Sequence, residues 1–176
     1  MVERSEQIAK ESSNPSKRGT DDLRVLALEI RPRKAGFAVF EGAALQDWRV
    51  AGYGPASPAM RRLGSLIDLH APSIVVIRRR SFLRKASAVA NIGRNIQQEA
   101  ARRMIQFRPL DASAVRALFT DRGHRTKHEI ASQIADWFPE LAWKLPPKRK
   151  PWQSEPHNAA LFDAVAIAVT FLTTQP

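Results

Sequence analysis

The sequence predicts an α/β domain with a mixed five-stranded sheet and helices on both of its faces. Three observations carry that expectation. Short apolar runs separated by polar turns fill residues 24–51, as in an antiparallel meander. Ser73-Ile74-Val75-Val76-Ile77 is an unbroken apolar run, the pattern of a strand buried on both faces of a parallel sheet. From residue 59 onward, segments of helical periodicity alternate with such strands.

Taken in order, residues 1–22 are polar, with Ser12, Ser13, Asn14, Pro15 and Ser16 ahead of Lys17 and Arg18, and are expected to form a disordered tail. A single domain then spans residues 23–176. Arg24 to Ile30 reads as a central strand with one carboxylate, Glu29, near its end. Burying that carboxylate without a cation or hydrogen bonds is costly, so it needs a partner. Arg31 to Ala35 is a polar turn. Gly36 to Glu41 and Leu45 to Ala51 are the second and third strands, and Gly42-Ala43-Ala44 suits a hairpin between them. Ala59 to His70 reads as a helix with Met60, Leu63, Leu66 and Ile67 on one face. The fourth strand follows and runs into Arg78-Arg79-Arg80. Ser87 to Ile105 reads as a long helix and Gln106 to Leu110 as a fifth strand. Asp111 is placed to cap a helix from Ala112 to Phe119. A further helix is expected from about Lys127 to Phe138, an exposed loop from Leu141 to Gln153, and a buried helix from about Pro156 to Leu172 that is apolar nearly all round.

Charge and composition bound the function. The chain carries 28 Lys and Arg against 17 Asp and Glu, a formal net charge of +11. The tail is nearly neutral, so the excess lies on the domain, where it suits a polyanion such as nucleic acid. A solvated basic surface is the plain alternative. The absence of cysteine excludes disulfides, thiolate chemistry and cysteine-type zinc sites. No apolar run is long enough to span a membrane, and Glu3, Glu6 and Glu11 argue against a targeting leader. A cytoplasmic protein is the expectation.

Four features together resemble the RuvC-like branch of the ribonuclease H fold, whose members are endonucleases that cut Holliday junctions. They are Leu28-Glu29-Ile30-Arg31-Pro32, the strand opening Gly36-Phe37-Ala38-Val39, the fourth strand ending at Ile77-Arg78, and Asp163-Ala164-Val165-Ala166-Ile167-Ala168 on the last helix. The resemblance covers roughly residues 24–172. It implies a ribonuclease H-like sheet, Mg²⁺ or Mn²⁺ as cofactor where the site is active, DNA as partner and a homodimer. The Ser87–Ile105 helix would be the contributor to such a dimer. Two-metal phosphodiester cleavage needs several carboxylates around ions about 3.5–4 Å apart. On the resemblance, Glu29 and Asp163 are the catalytic and metal-binding candidates.

The pattern departs from the family in three places. Glu29 stands where Asp is usual. Arg78 stands at the acidic position of the fourth strand and cannot deprotonate. Ala159 and Ala160, one turn before Asp163, cannot ligate a metal. Glu155 lies about 12 Å up a continuous helix from Asp163, and would join the site only if the chain bends at Pro156. The expectation is therefore that Arg78 takes the place of a metal and pairs with Glu29 and Asp163.

Arg78, Arg79, Arg80, Arg84 and Lys85 after the fourth strand, Arg125 and Lys127 at a helix start, and Lys148, Arg149 and Lys150 in the Pro-rich loop are the nucleic-acid-binding candidates. Trp143 and Trp152 flank the last group, as stacking platforms for bases or as apolar anchors of the loop. His124 and His128 have no third ligand nearby, and no Gly-rich phosphate loop is present. Three readings follow. One is a nucleic-acid-binding protein for branched or duplex DNA with a degraded nuclease site. The second is an active Mg²⁺-dependent crossover-junction endonuclease. The third is a non-catalytic adaptor in a DNA-handling assembly.

Overall fold

The computed structural model describes residues 23–53, 58–79, 87–150 and 152–174. The expected tail, and Arg80, Arg84 and Lys85, lie outside them. The strands are β1 (Arg24–Ile30), β2 (Lys34–Glu41), β3 (Ala44–Gly52), β4 (Ile74–Arg78) and β5 (Gln106–Leu110). The helices are α1 (Pro58–His70), α2 (Ala88–Arg102), α3 (Ala112–Thr120), α4 (Lys127–Trp137) and α5 (Ala159–Thr174), with a 3₁₀ turn at Pro139–Lys144. The five strands form one sheet in the order β3-β2-β1-β4-β5. The β1–β2 and β2–β3 pairs are antiparallel, while β1–β4 and β4–β5 are parallel. This is the expected mixed sheet.

The period of two along each strand divides the core. Val25 and Ala27 of β1, Ala38 and Phe40 of β2, and Ile74 and Val76 of β4 pack against α3, α4 and α5. Leu26, Leu28 and Ile30, Phe37 and Val39, and Val75 and Ile77 pack on the other face with Leu63 and Ile67 of α1 and Ile96 of α2. Nearly every residue of α5 from Ala160 to Phe171 is buried, as its uniform apolarity requires.

Four local expectations are corrected. Helix α2 stops at Arg102 rather than Ile105, because Met104 adopts φ +56° and turns the chain toward β5. The segment after Phe138 is not wholly an exposed loop, since its 3₁₀ turn buries Leu141 completely. Asp111 precedes α3 but makes no side-chain cap; its carboxylate pairs instead with Arg79 Nε at 2.9 Å. Helix α5 begins at Ala159, not Pro156. The Pro156 carbonyl accepts from Ala159 N–H at 3.1 Å, while Asn158 Nδ2 donates to the Lys144 carbonyl at 3.2 Å. The chain therefore turns at 156–158 and Glu155 stands clear of the helix.

Candidate functional site

Strand parity decides which side chains can meet. Glu29 shares the face of Val25 and Ala27, and Arg78 that of Ile74 and Val76, so both point toward α5. The parallel register pairs Leu28 with Ile77, which sets Glu29 beside Arg78 at the C-terminal ends of two central strands. On the other side Glu29 pairs with Gly36 of β2. A Cβ on Gly36 would lie 2.0 Å from the Ala160 carbonyl oxygen and 2.6 Å from the Leu161 nitrogen. Only glycine lets the first turn of α5 cross β2 this closely. That crossing delivers Asp163, one turn further on, to the same end of the sheet.

The result is a cluster of three carboxylates and three cations. Arg78 Nε lies 2.8 Å from Glu29 Oε2, and Arg78 Nη2 lies 3.9 Å from Asp163 Oδ2. Arg31 sits at the centre. Its Nη2 donates to Asp163 Oδ2 at 2.5 Å, its Nη1 to Glu155 Oε2, and its Nε is 3.9 Å from Glu29. Lys127, from the first turn of α4, reaches Glu155 at 2.6 Å and Asp163 at 3.3 Å. The Tyr53 hydroxyl donates to the Arg31 carbonyl and holds the turn that presents Arg31. Burial pushes that phenol up to about 12. The Glu29–Arg78 contact has the distance of an ion pair but not the alignment of a hydrogen bond, and Glu29 Oε2 and Arg78 Nε have no hydrogen-bond partner.

The electrostatics follow from depth. Glu29 is 8% exposed, and burial lifts its carboxyl above the ordinary value of 4.5 even with Arg78 alongside; Asp163 pushes in the same direction. Glu155 lies nearer solvent. Burial raises it too, but the Lys127 hydrogen bond and the charges of Arg31 and Lys127 outweigh that and hold it below the ordinary value.

This donor set does not fit the Mg²⁺ or Mn²⁺ site that the resemblance implies. Such an ion needs carboxylate oxygens free to coordinate and a cage of net negative charge. Here three carboxylates are matched by three cations, two of them largely buried guanidiniums whose nitrogens stand against the oxygens a metal would use. Among the described residues, no three His, Asp or Glu side chains are grouped to hold a metal.

The structure brings together Glu29, Asp163, Arg78, Lys127 and Glu155 from the sequence candidates. Arg31 had no role assigned in the sequence. No sequence signal marked it, because it lies in the turn beyond β1 and meets its partners only once α5 is in place. The other basic candidates spread outward: Arg125, Lys148, Arg149 and Lys150 are exposed, and Arg79 is half exposed on its bond to Asp111. Beside the cluster a cleft of about 430 Å³ opens between the start of α4 and residues 146–149, lined by Lys127, His128, Lys148, Arg149, Glu155 and Asp163 among others. His128 Nδ1 is buried there without a hydrogen-bond partner.

A five-stranded mixed sheet in the order β3-β2-β1-β4-β5, with a buried C-terminal helix crossing it, is a ribonuclease H-like fold. Within that class, similar solved structures include RuvC and Holliday junction resolvases. Thermus thermophilus RuvC matches with 20% identity over 84% of this chain and 92% of its own, at a TM-score of 0.55. The yeast mitochondrial Holliday junction resolvase Ydc2 matches with 11% identity over 96% of this chain and 86% of its own, at 0.57. The fowlpox virus Holliday junction resolvase matches with 9% identity over 87% of this chain and all of its own, at 0.58. No protein-family model and no curated protein sequence matches the chain significantly. At these identities the likeness is one of fold: the chain has the fold of the RuvC-type resolvases.

Proposed function

We propose that this protein binds DNA, branched or duplex, through a RuvC-type fold whose metal-dependent nuclease site is replaced by an ion-paired cluster, and that it acts in the cytoplasm. The observation that carries this reading is the neutral arrangement of Glu29, Glu155 and Asp163 around Arg31, Arg78 and Lys127. Arg78 and Arg31 hold the carboxylates together as divalent ions would, but a guanidinium cannot activate water or stabilise a leaving oxygen as a Lewis acid. The fold supports the choice of DNA, since a structure of T. thermophilus RuvC in complex with Holliday junction substrate matches at a TM-score of 0.55 and 18% identity. Exposed Arg125, Lys148, Arg149 and Lys150 supply phosphate contacts, with Arg80, Arg84 and Lys85 adding to them. A homodimer belongs to the same reading.

A second reading, an Mg²⁺-dependent endonuclease of crossover-junction type, is favoured by the convergence of three carboxylates on shared partners. It requires a metal to displace Arg31 and Arg78. Crystals grown in Mn²⁺ separate the two readings. The ion-paired cluster predicts no anomalous density between Glu29 and Asp163, and two ions there would overturn it. The adaptor reading predicts no steep fall of DNA affinity with salt, whereas phosphate binding requires one.

A further inference from the structure

We infer that the segment from Trp143 to Trp152 is a stacking platform for unpaired bases, so that the preferred ligand is single-stranded or locally splayed nucleic acid. The inference rests on the proposed function only in taking nucleic acid as the partner.

The first observation is exposure. Trp143 and Trp152 are each 78% exposed. The anchoring alternative raised by the sequence therefore fails for both. Two indoles this exposed within ten residues, in a segment rich in Lys and Arg, supply the aromatic and basic residues that unpaired bases stack on and phosphates pair with. The second is their charge setting. Lys144 Nζ lies 4.8 Å from the centre of the Trp143 ring, and Lys150 Nζ lies 5.5 Å from that of Trp152. Each ring thus has a cation over one face, so a base would stack on the opposite face, with the ammonium close enough to attract its phosphate. Among the described residues, no carboxylate lies within ion-pair distance of Lys144, Lys148, Arg149 or Lys150.

The third observation is a path. A groove of about 420 Å³ lined by Pro147, Arg149, Gln153, Ser154 and Pro156 shares Pro147, Arg149 and Pro156 with the cleft beside the carboxylate cluster. Together they run from the residue after Trp152 to Lys127 and Asp163. The stretch next to Trp152 is lined by Pro147, Arg149, Gln153, Ser154 and Pro156 and carries no carboxylate; Glu155 and Asp163 enter the lining only at the far end, where Arg31 and Lys127 pair with them. A duplex cannot use such a platform, because its base faces are already stacked on one another, whereas every unpaired base offers a free face.

The test is fluorescence anisotropy with a labelled oligothymidylate of about twelve nucleotides, a blunt duplex and a four-way junction, each titrated at a low and a high salt concentration. The full chain is compared with Trp143→Ala, Trp152→Ala and the double Trp→Phe variant. Both tryptophans are exposed, so thermal melts of the variants should overlay the parent. Each alanine variant is expected to lose about 5- to 150-fold in oligothymidylate affinity, with duplex affinity changed less than about 2-fold and the Phe variant retaining most binding. Losses below about 2-fold in both alanine variants, or equal losses on single strand and duplex, overturn the platform while leaving junction binding and the proposed function intact. No salt-dependent binding of the parent to any of the three DNAs overturns both.

Discussion

Arg31 is 13% exposed in its side chain and touches Glu29, Glu155 and Asp163, whereas Lys127 is 64% exposed and touches only the last two. Depth should decide their worth. Removing one partner of a buried ion pair leaves an uncompensated charge and costs about 3–5 kcal/mol, and an exposed pair is worth about 0–1 kcal/mol. Arg31→Ala should therefore lower the urea midpoint far more than Lys127→Ala; equal small losses would mean the cluster is solvated. Arg78→Glu makes the opposite change, adding a fourth carboxylate beside Glu29 and Asp163. That variant should melt lower in EDTA and recover with millimolar Mn²⁺, by about 2.7 kcal/mol at a hundred times its dissociation constant, while the parent does not respond. A parent that responds as strongly would show that the metal site never needed the change. The two unusual carboxylates give opposite pH signatures. Glu155 titrates below its unfolded value, so its stabilisation is present above the ordinary value of 4.5 and fades as pH falls through its folded value. Glu29 titrates above its unfolded value, so its contribution is full below that value and is lost as pH rises through the folded one. In denaturant melts across this range, Glu155→Gln should flatten the acid side of the profile and Glu29→Gln should flatten the decline above it. Identical profiles for both variants would contradict the assignment.

At the scale of elements, the crossing of α5 over β2 builds the site. Gly36→Ala would press a methyl onto the Ala160 carbonyl, at 2.0 Å from a group that cannot rotate away. Overpacking of this kind costs about 1–3 kcal/mol or more, and here it should also move Asp163 away from Glu29. Thermal melting would read the loss, and an unchanged melting temperature would mean that α5 does not pack as described. The fold itself was largely legible. Apolar runs of strand length, a helix apolar all round and the alternation after residue 59 each state a burial demand that one architecture meets. What was hidden depended on chain geometry that periodicity does not encode. The start of α5 turned on Asn158 bonding to the distant Lys144 carbonyl, and that turn, rather than any local motif, freed Glu155 to reach Arg31. Asp111 read as a cap because nothing local revealed Arg79 as a stronger partner. Arg78 beside Glu29 was legible, because parallel register and strand parity both follow from the run that precedes it. Arg31 was not, because its reach across to α5 requires the helix to be in place.

For the molecule as a whole, the basic excess and the self-neutralised cluster divide the labour. The formal charges of the cluster cancel, so the chain's net charge of +11 is carried by residues outside it, while the cluster holds the ends of β1, β4 and α5 together; on the proposed function it is those other residues that meet phosphate. A nuclease would need the reverse, with anions left unmatched at the strand ends until a metal arrives. The most direct test of that division is to incubate the protein with a labelled synthetic Holliday junction in Mg²⁺, Mn²⁺ or EDTA, with Asp163→Asn alongside, and to score binding and cutting on gels. The cluster predicts a shifted junction and no product in all three conditions. Product that requires metal and disappears in Asp163→Asn would contradict it, and would mean that metals displace Arg31 and Arg78 from a working site.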